Sequence, residues 1–173
     1  LAAATWLAWV LAGANVDHGR LLLAGQVAWF VAVLGPALAT GTFHAQGIVT
    51  ALLPLDMVTK AFAAVLYLLC LPAVLHLVPE GGYQASSRSL PWLRIGLWPP
   101  YVALFASLFW TVGQDVGGIA EFVGVSLVAA AIAVLLAIGL RRRPAWQRRA
   151  YPIALLVLAA VTLLVAFLGA YLP

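Results

Sequence analysis

The chain has 173 residues, of which 65% are hydrophobic and 8% are charged, and its mean hydropathy is +1.09. Soluble domains average roughly half apolar and a quarter charged residues, so this composition excludes an ordinary soluble protein and indicates an integral membrane protein. The net charge of +4 arises mostly in one arginine-rich stretch with no soluble fold around it. We therefore expect contact with the lipid bilayer, and no nucleic acid partner.

Six apolar segments predict an all-α fold, a polytopic helical bundle of about six transmembrane helices, with five to seven as the range. A helix needs about 20 predominantly apolar residues to cross the hydrocarbon core. We predict a single transmembrane domain over residues 1–173, with spans at 1–16, 21–40, 57–78, 99–113, 119–140 and 150–172.

The first segment and the stretch at residues 41–56 are the two irregular parts of this pattern. The first segment is short for a span and begins at Leu1 rather than Met, so either processing or a preceding segment accounts for its start. Within 41–56 the apolar part, 48–55, is too short to cross. We interpret it as a re-entrant or interfacial stretch, or as an extension of the third segment broken at Pro54.

Turn-forming and polar residues separate the third and fourth segments. Pro79-Glu80-Gly81-Gly82 predicts the end of the third segment, and residues 83–98 read as an interfacial loop. Pro99-Pro100 suits the first turn of the fourth helix, where backbone donors are unpaired anyway. The resulting segment is short, and an extension through residues 93–97 is the alternative.

The stretch Arg141–Arg149 holds five of the nine basic residues and lies between the last two apolar segments. Arginine-rich short loops between membrane helices stay on the cytoplasmic side. With each segment crossing once, Arg20, Arg88 and Arg94 fall on that side too, and only Lys60 lies near the opposite face. The sequence therefore predicts a bacterial-type inner membrane protein with the Arg141–Arg149 loop in the cytoplasm.

One set of ionisable residues falls toward the outer face and forms a candidate ion or ligand pathway. Asp56 and Lys60 have the four-residue spacing at which an acid and a base share a helix face. Ionisable groups at membrane depth are costly and tend to be functional, although ordinary cap and loop charges explain the same pattern. The set consists of His44, Asp56, Lys60, Asp115 and Glu121.

A second set, toward the cytoplasmic face, contains two histidines on different segments. His18 and His76 are candidate cofactor-binding residues because a bis-histidine haem needs ligands from two helices at similar depth. Glu80 has the helical spacing to orient His76. The start His18-Gly19-Arg20 resembles the histidine-bearing helix starts of respiratory membrane subunits, a resemblance confined to these residues. Snorkelling interfacial histidines are the alternative interpretation.

No catalytic motif is present, and whether the chain is an enzyme stays open. The sequence contains no Gly-x-Ser-x-Gly elbow, His-Glu-x-x-His helix or Cys-x-x-Cys pair, and three scattered histidines and Cys70 have no metal-ligand spacing. Gln26 is interpreted as a hydrogen-bonding link between helices. The last two segments are almost wholly aliphatic and are interpreted as a scaffold hairpin, which moves any site to the first four.

Three hypotheses of function follow. The first is a small polytopic subunit of a respiratory or photosynthetic membrane complex, with other membrane subunits as partners, that provides scaffold and lines a pocket for haem b, a quinone or a pigment. The second is a small secondary transporter or channel that uses Asp56, Lys60 and Glu121 in an internal cavity. The third is a membrane enzyme acting on a lipid or isoprenoid near His18, Arg20 and His76.

Overall fold

A computed structural model describes residues 2–11, 16–50, 53–77, 90–110 and 116–171. Within these ranges every regular element is an α-helix, which confirms the predicted helical membrane bundle. The described helices are α1 (Ala2–Leu11), α2 (Val16–Thr40), α3 (Ala45–Thr50), α4 (Pro54–Val74), α5 (Leu90–Phe109), α6 (Val116–Arg142) and α7 (Ala145–Tyr171).

Four of these helices are long and apolar enough to cross a bilayer, so the chain is an integral membrane protein. The candidate spans are Gly19–Thr40 in α2, Pro54–Val74, Gly117–Arg142 in α6 and Arg149–Tyr171 in α7. The apolar part of α5 is shorter, Ile95–Phe109. Helix α1 has only 10 described residues.

Prolines account for two differences between the predicted and observed helix starts. Pro99 and Pro100 lie inside α5, so the predicted start at Pro99 was wrong, and the helix includes the alternative extension through residues 93–97 and begins at Leu90. Membrane helices tolerate internal proline because other groups satisfy the freed carbonyls. Pro54 occupies the first turn of α4, where it starts the helix rather than breaking it.

Helix α4 ends four residues before the predicted boundary at Val78, because the chain forms a Schellman motif. The backbone N–H of His76 donates to the Ala73 carbonyl at 3.2 Å, and that of Leu77 donates to the Pro72 carbonyl at 2.9 Å. This motif requires a left-handed residue, usually glycine. Here His76 takes that conformation, with φ of 53°.

The short helix α3 occupies the irregular stretch at residues 41–56. Gly41 ends α2 with φ of +64°, a conformation that glycine adopts without strain. Ile48 of α3 is buried and packs with Ala37 of α2 and Leu108 of α5. Helix α3 therefore covers the neighbouring ends of these two helices.

The centre of the bundle is formed by α2, α4 and α7, which pack closely through small residues. A Cβ atom added to Gly25 of α2 would lie 2.8 Å from the Ala73 Cβ of α4. One added to Gly35 would lie 3.6 Å from the Thr162 Cγ2 and 3.9 Å from the Ala166 Cβ, both on α7. Small residues allow membrane helices to approach in this way and to gain dispersion energy.

Helices α6 and α7 are consecutive but do not pack along each other. Helix α6 lies against α5 and α4, whereas α7 lies against α2 and α4. The last two segments, which were interpreted as a scaffold hairpin, therefore do not pack along each other. Each packs on earlier helices, and α4 contacts both.

Candidate functional site

Six buried side chains with polar atoms lie together where α1, α2, α4 and α5 meet. We call this set the polar cluster, and its members are Thr5, Gln26, Trp29, Tyr67, His76 and Tyr101. All are less than one-tenth exposed. The cluster draws on the first four predicted segments.

Helix α2 places the two central members of the polar cluster at membrane depth. Gln26 and Trp29 are three residues apart, so they project from the same face of α2. At a rise of about 1.5 Å per residue, Trp29 lies about 15 Å along the span from Gly19, half of a hydrocarbon core of about 30 Å. Its polar atom is therefore far from bulk water.

Hydrogen bonds join the cluster across four helices. The Gln26 amide Nε2 donates to Thr5 Oγ1, which links α2 to α1 as the sequence suggested. The His76 Nε2 lies 3.1 Å from the Thr5 carbonyl oxygen. The Tyr67 hydroxyl donates to the Tyr101 carbonyl oxygen at 2.8 Å, which links α4 to α5.

Three polar atoms of the cluster have no hydrogen-bond partner among the described residues. They are Gln26 Oε1, Trp29 Nε1 and Tyr101 Oη, in side chains that are 3%, 8% and 0% exposed. The Tyr101 hydroxyl lies close to the Gln26 and Thr5 side chains, and Trp29 lies close to Tyr67, but none of these contacts has hydrogen-bond geometry at the three atoms. The Tyr101 ring contacts the Trp29 ring edge to face with centroids 5.4 Å apart. A buried polar group without a partner costs about 1–3 kcal/mol, so three in one place call for an explanation.

The three atoms offer a defined hydrogen-bonding chemistry. The Trp29 indole donates only, the Tyr101 hydroxyl donates or accepts, and Gln26 Oε1 accepts. Other aromatic rings lie in the same cluster, since Phe105 and Phe109 pack on Tyr67 with centroids 5.5 and 5.8 Å away. This combination suits a flat, mostly apolar molecule that carries carbonyl or hydroxyl groups.

The structure brings only one of the two candidate haem ligands into the cluster. His76 is buried there, 4% exposed. The side chain of His18 at the start of α2 lies outside the described residues, as does all of Glu80. The bis-histidine pairing stays a prediction.

Three members of the outward set lie on α4 and α6. Asp56 in the first turn of α4 is buried, and its charge attracts that of the half-buried Lys60. Its Oδ1 lies 3.9 Å from the position of a Cβ on Gly169, an ordinary van der Waals distance, so the carboxylate lies beside α7. Glu121 is exposed on α6 and accepts a hydrogen bond of 2.6 Å from the Trp110 indole.

The other two members of the outward set do not extend it. His44 is exposed, and its backbone N–H donates to Thr42 Oγ1 at 3.1 Å. Asp115 lies outside the described residues. Among the described members, the structure shows an attraction between Asp56 and Lys60, and the ion or ligand pathway stays a prediction.

Sequence reasoning missed the aromatic members of the polar cluster. Tryptophan and tyrosine concentrate at the two membrane interfaces, so Trp29 and Tyr67 in the middle of spans were a signal that could have been noticed. Tyr101 was assigned to a membrane interface because the fourth helix was predicted to start at Pro99. With α5 beginning at Leu90, it lies near the middle of that helix.

Among the described residues, no three His, Cys, Asp or Glu side chains are grouped so as to hold a metal ion. Comparison of the chain with protein-family models, curated proteins and solved structures found no match.

Proposed function

We propose that this chain is a small polytopic subunit of a membrane complex of the respiratory or photosynthetic type, and that its polar cluster lines a pocket for a quinone head group. The observation that carries the proposal is the set of three buried atoms, on Gln26, Trp29 and Tyr101, that have no hydrogen-bond partner in the described part of the chain. Polar groups without partners are costly within a bilayer, and a ligand that pairs with them removes that cost.

A quinone matches the chemistry of these atoms. Its carbonyl oxygens accept hydrogen bonds from the Trp29 indole and the Tyr101 hydroxyl, and its reduced form donates to Gln26 Oε1. The ring is apolar on both faces and fits among aromatic side chains. Its isoprenoid tail partitions into the surrounding bilayer.

The arrangement of His76 favours a quinone over haem. A haem ligand needs an imidazole nitrogen that is available to iron. The Nε2 of His76 lies at hydrogen-bonding distance from the Thr5 carbonyl, and iron binding through that atom would break this contact between the turn that follows α4 and helix α1.

The outer helices support a role within a larger assembly. Only 17% of the most apolar window of α6 and 22% of that of α7 is buried within the chain, against 61% for α2. Gly124 and Gly139 of α6 have open space around them, so another helix can approach its backbone closely. The proposal includes an inner membrane of bacterial type, with the arginine-rich end in the cytoplasm by the positive-inside rule.

The ligand part of the proposal is tested by equilibrium binding of decylubiquinone to the purified protein in detergent, measured by quenching of tryptophan fluorescence. We expect saturable binding that weakens about fivefold to tenfold in Tyr101→Phe, because one hydrogen bond of about 1 kcal/mol is lost without a change in ring size. Gln26→Leu tests the third atom with the reduced quinol.

Ser126→Ala is the matched control, since Ser126 Oγ is also buried and unpaired but lies on α6, outside the polar cluster. It should bind like the parent protein. Absence of saturable binding, or equal affinity of Tyr101→Phe and the parent, would overturn the quinone assignment and leave a bridging water as the partner of these atoms.

The subunit part is tested separately by native mass spectrometry of the tagged protein isolated from its own membrane in a mild detergent. We expect a stoichiometric membrane partner. A monodisperse chain free of partners that still binds quinone would overturn the subunit assignment alone.

A further inference from the structure

The side-chain amide of Gln26 has a defined orientation, because helix α1 bonds to one end of it. The Nε2 atom donates to Thr5 Oγ1, and Oε1, the other end of the same amide, has no partner in the described part of the chain. Gln26 is 3% exposed and Thr5 is fully buried, so bulk water reaches neither side chain. The amide therefore offers a ligand its acceptor and not its donor.

Thr5 is suited to act as the acceptor in this contact. The helical threonines Thr59 and Thr162 donate their hydroxyl hydrogens to carbonyl oxygens of their own helices, which leaves their oxygen atoms to accept from a neighbour. The backbone of Thr5 is held as well, since His76 Nε2 lies 3.1 Å from its carbonyl oxygen. A carbonyl oxygen only accepts, so Nε2 carries the hydrogen and donates it.

The Gln26 acceptor responds differently to the two redox forms of a quinone. An oxidised quinone carries two carbonyl oxygens and no polar hydrogen. It accepts from the Trp29 indole and the Tyr101 hydroxyl but forms no bond with Gln26 Oε1. If Tyr101 donated to Oε1 instead, one quinone carbonyl would lose that hydrogen. In either arrangement one buried acceptor has no bond to these groups, which costs free energy.

A quinol meets the same three atoms with a different set of groups. Each of its two hydroxyls donates one hydrogen and also accepts. One hydroxyl donates to Gln26 Oε1, while the two hydroxyl oxygens accept from the Trp29 indole and the Tyr101 hydroxyl. The reduced form thus pairs with all three atoms, whereas the oxidised form pairs with two.

We propose that the polar cluster is selective for the reduced form, a quinol, and that Thr5 sets this selectivity by orienting the Gln26 amide. This inference rests on the proposed function, because it names the redox form that the quinone site prefers. Thr5 is a positioning residue, since it acts through Gln26. Such a site fills with quinol from a membrane pool that holds both forms.

The size of the preference follows from one buried acceptor. Leaving it without a bond in the oxidised complex should weaken the affinity for the quinone about tenfold relative to the quinol. Tighter binding of the reduced form raises the midpoint potential of the bound couple. For a two-electron couple, a tenfold preference corresponds to a rise of about 30 mV.

The test compares decylubiquinol with decylubiquinone by isothermal titration calorimetry of the purified protein in detergent under argon. We expect the quinol to bind about tenfold more tightly. Gln26→Leu removes the acceptor, so it should weaken binding of the quinol about tenfold and leave that of the quinone nearly unchanged. Circular dichroism verifies that each variant keeps its helix content.

Thr5→Val tests the orientation of the amide, because it removes the group that accepts from Gln26 Nε2 with little change in shape. The amide can then present either end to the ligand, so the affinities for quinol and quinone should become nearly equal. Thr5→Ser keeps the hydroxyl and should keep the preference for quinol. The matched control is Thr162→Val on α7, a fully buried threonine that bonds within its own helix, and it should also keep the preference.

The possible outcomes separate this inference from the proposed function. Equal affinity of the parent protein for the two forms, or tighter binding of the quinone, would overturn the selectivity and leave the quinone site standing. Absence of saturable binding of either form would overturn the quinone site as well. An undiminished preference for quinol in Thr5→Val would overturn the role of Thr5, and equal loss of both forms in Gln26→Leu would overturn the role of the Gln26 acceptor.

Discussion

Gly25→Ala tests how α2 and α4 pack at the centre of the bundle. The added Cβ would lie 2.8 Å from the Cβ of Ala73, which is itself 1% exposed. Carbon atoms attract each other best at about 3.5–4.0 Å, so the two helices must separate by about 1 Å at this crossing. We expect the substitution to destabilise the bundle.

The magnitude follows from two opposing terms. Overpacking a close contact costs about 1–3 kcal/mol. Alanine also gains up to about 1 kcal/mol over glycine in helix propensity. Gly139→Ala on α6 has the same propensity gain but open space around the new methyl group, so the difference between the two variants is the overpacking cost alone.

The assay is reversible unfolding in mixed micelles with increasing dodecyl sulfate, followed by circular dichroism. Gly25→Ala should unfold with about 1–3 kcal/mol less free energy than Gly139→Ala. Adding Ala73→Gly to Gly25→Ala should restore part of the loss, because it removes the opposing Cβ. Equal stability of Gly25→Ala and Gly139→Ala, or no recovery in the double variant, would refute the close crossing.

Three further predictions use the same unfolding assay. Tyr151→Phe removes the hydroxyl that donates to the Leu69 carbonyl and should cost about 1 kcal/mol; no loss would mean that this bond does not hold α7 to α4. His76→Val should be less stable than His76→Asn by about 1–2 kcal/mol. Both variants lose the imidazole, but only asparagine tolerates the φ of 53° at this position. Equal stability of the two variants would contradict the left-handed residue at the end of α4. Glu121→Gln keeps a hydrogen-bond acceptor for the Trp110 indole at an exposed position, so the free energy of unfolding should change by less than about 0.5 kcal/mol. A larger loss would show that the negative charge of Glu121 contributes to stability.

The sequence was sufficient to predict the helical membrane bundle, because apolar runs of spanning length are a strong and local signal. The boundaries of α5 were harder to predict. Proline is acceptable both at the start of a helix and within a membrane helix, and only the tertiary contacts of residues 90–98 decide between the two. The end of α4 likewise depends on His76 adopting a conformation that usually requires glycine.

Pairing between helices was not predictable from the sequence alone. The aliphatic composition of the last two segments is compatible with packing against any small-residue stripe, and the choice of α4 and α2 as the neighbours of α7 depends on fits such as Gly35 against Thr162. The polar cluster shows the same limit. Gln26 stood out as a polar residue in a span, but its proximity to Trp29 and Tyr101 depends on how α2 meets α5.

The measurement that tests the account most directly is a density map of the native assembly, isolated from its own membrane in a mild detergent. We predict a flat non-protein density within hydrogen-bonding distance of Trp29 Nε1 and Tyr101 Oη, and another subunit against the exposed faces of α6 and α7. An isolated chain in which Gln26, Trp29 and Tyr101 bond to each other or to water alone would contradict it.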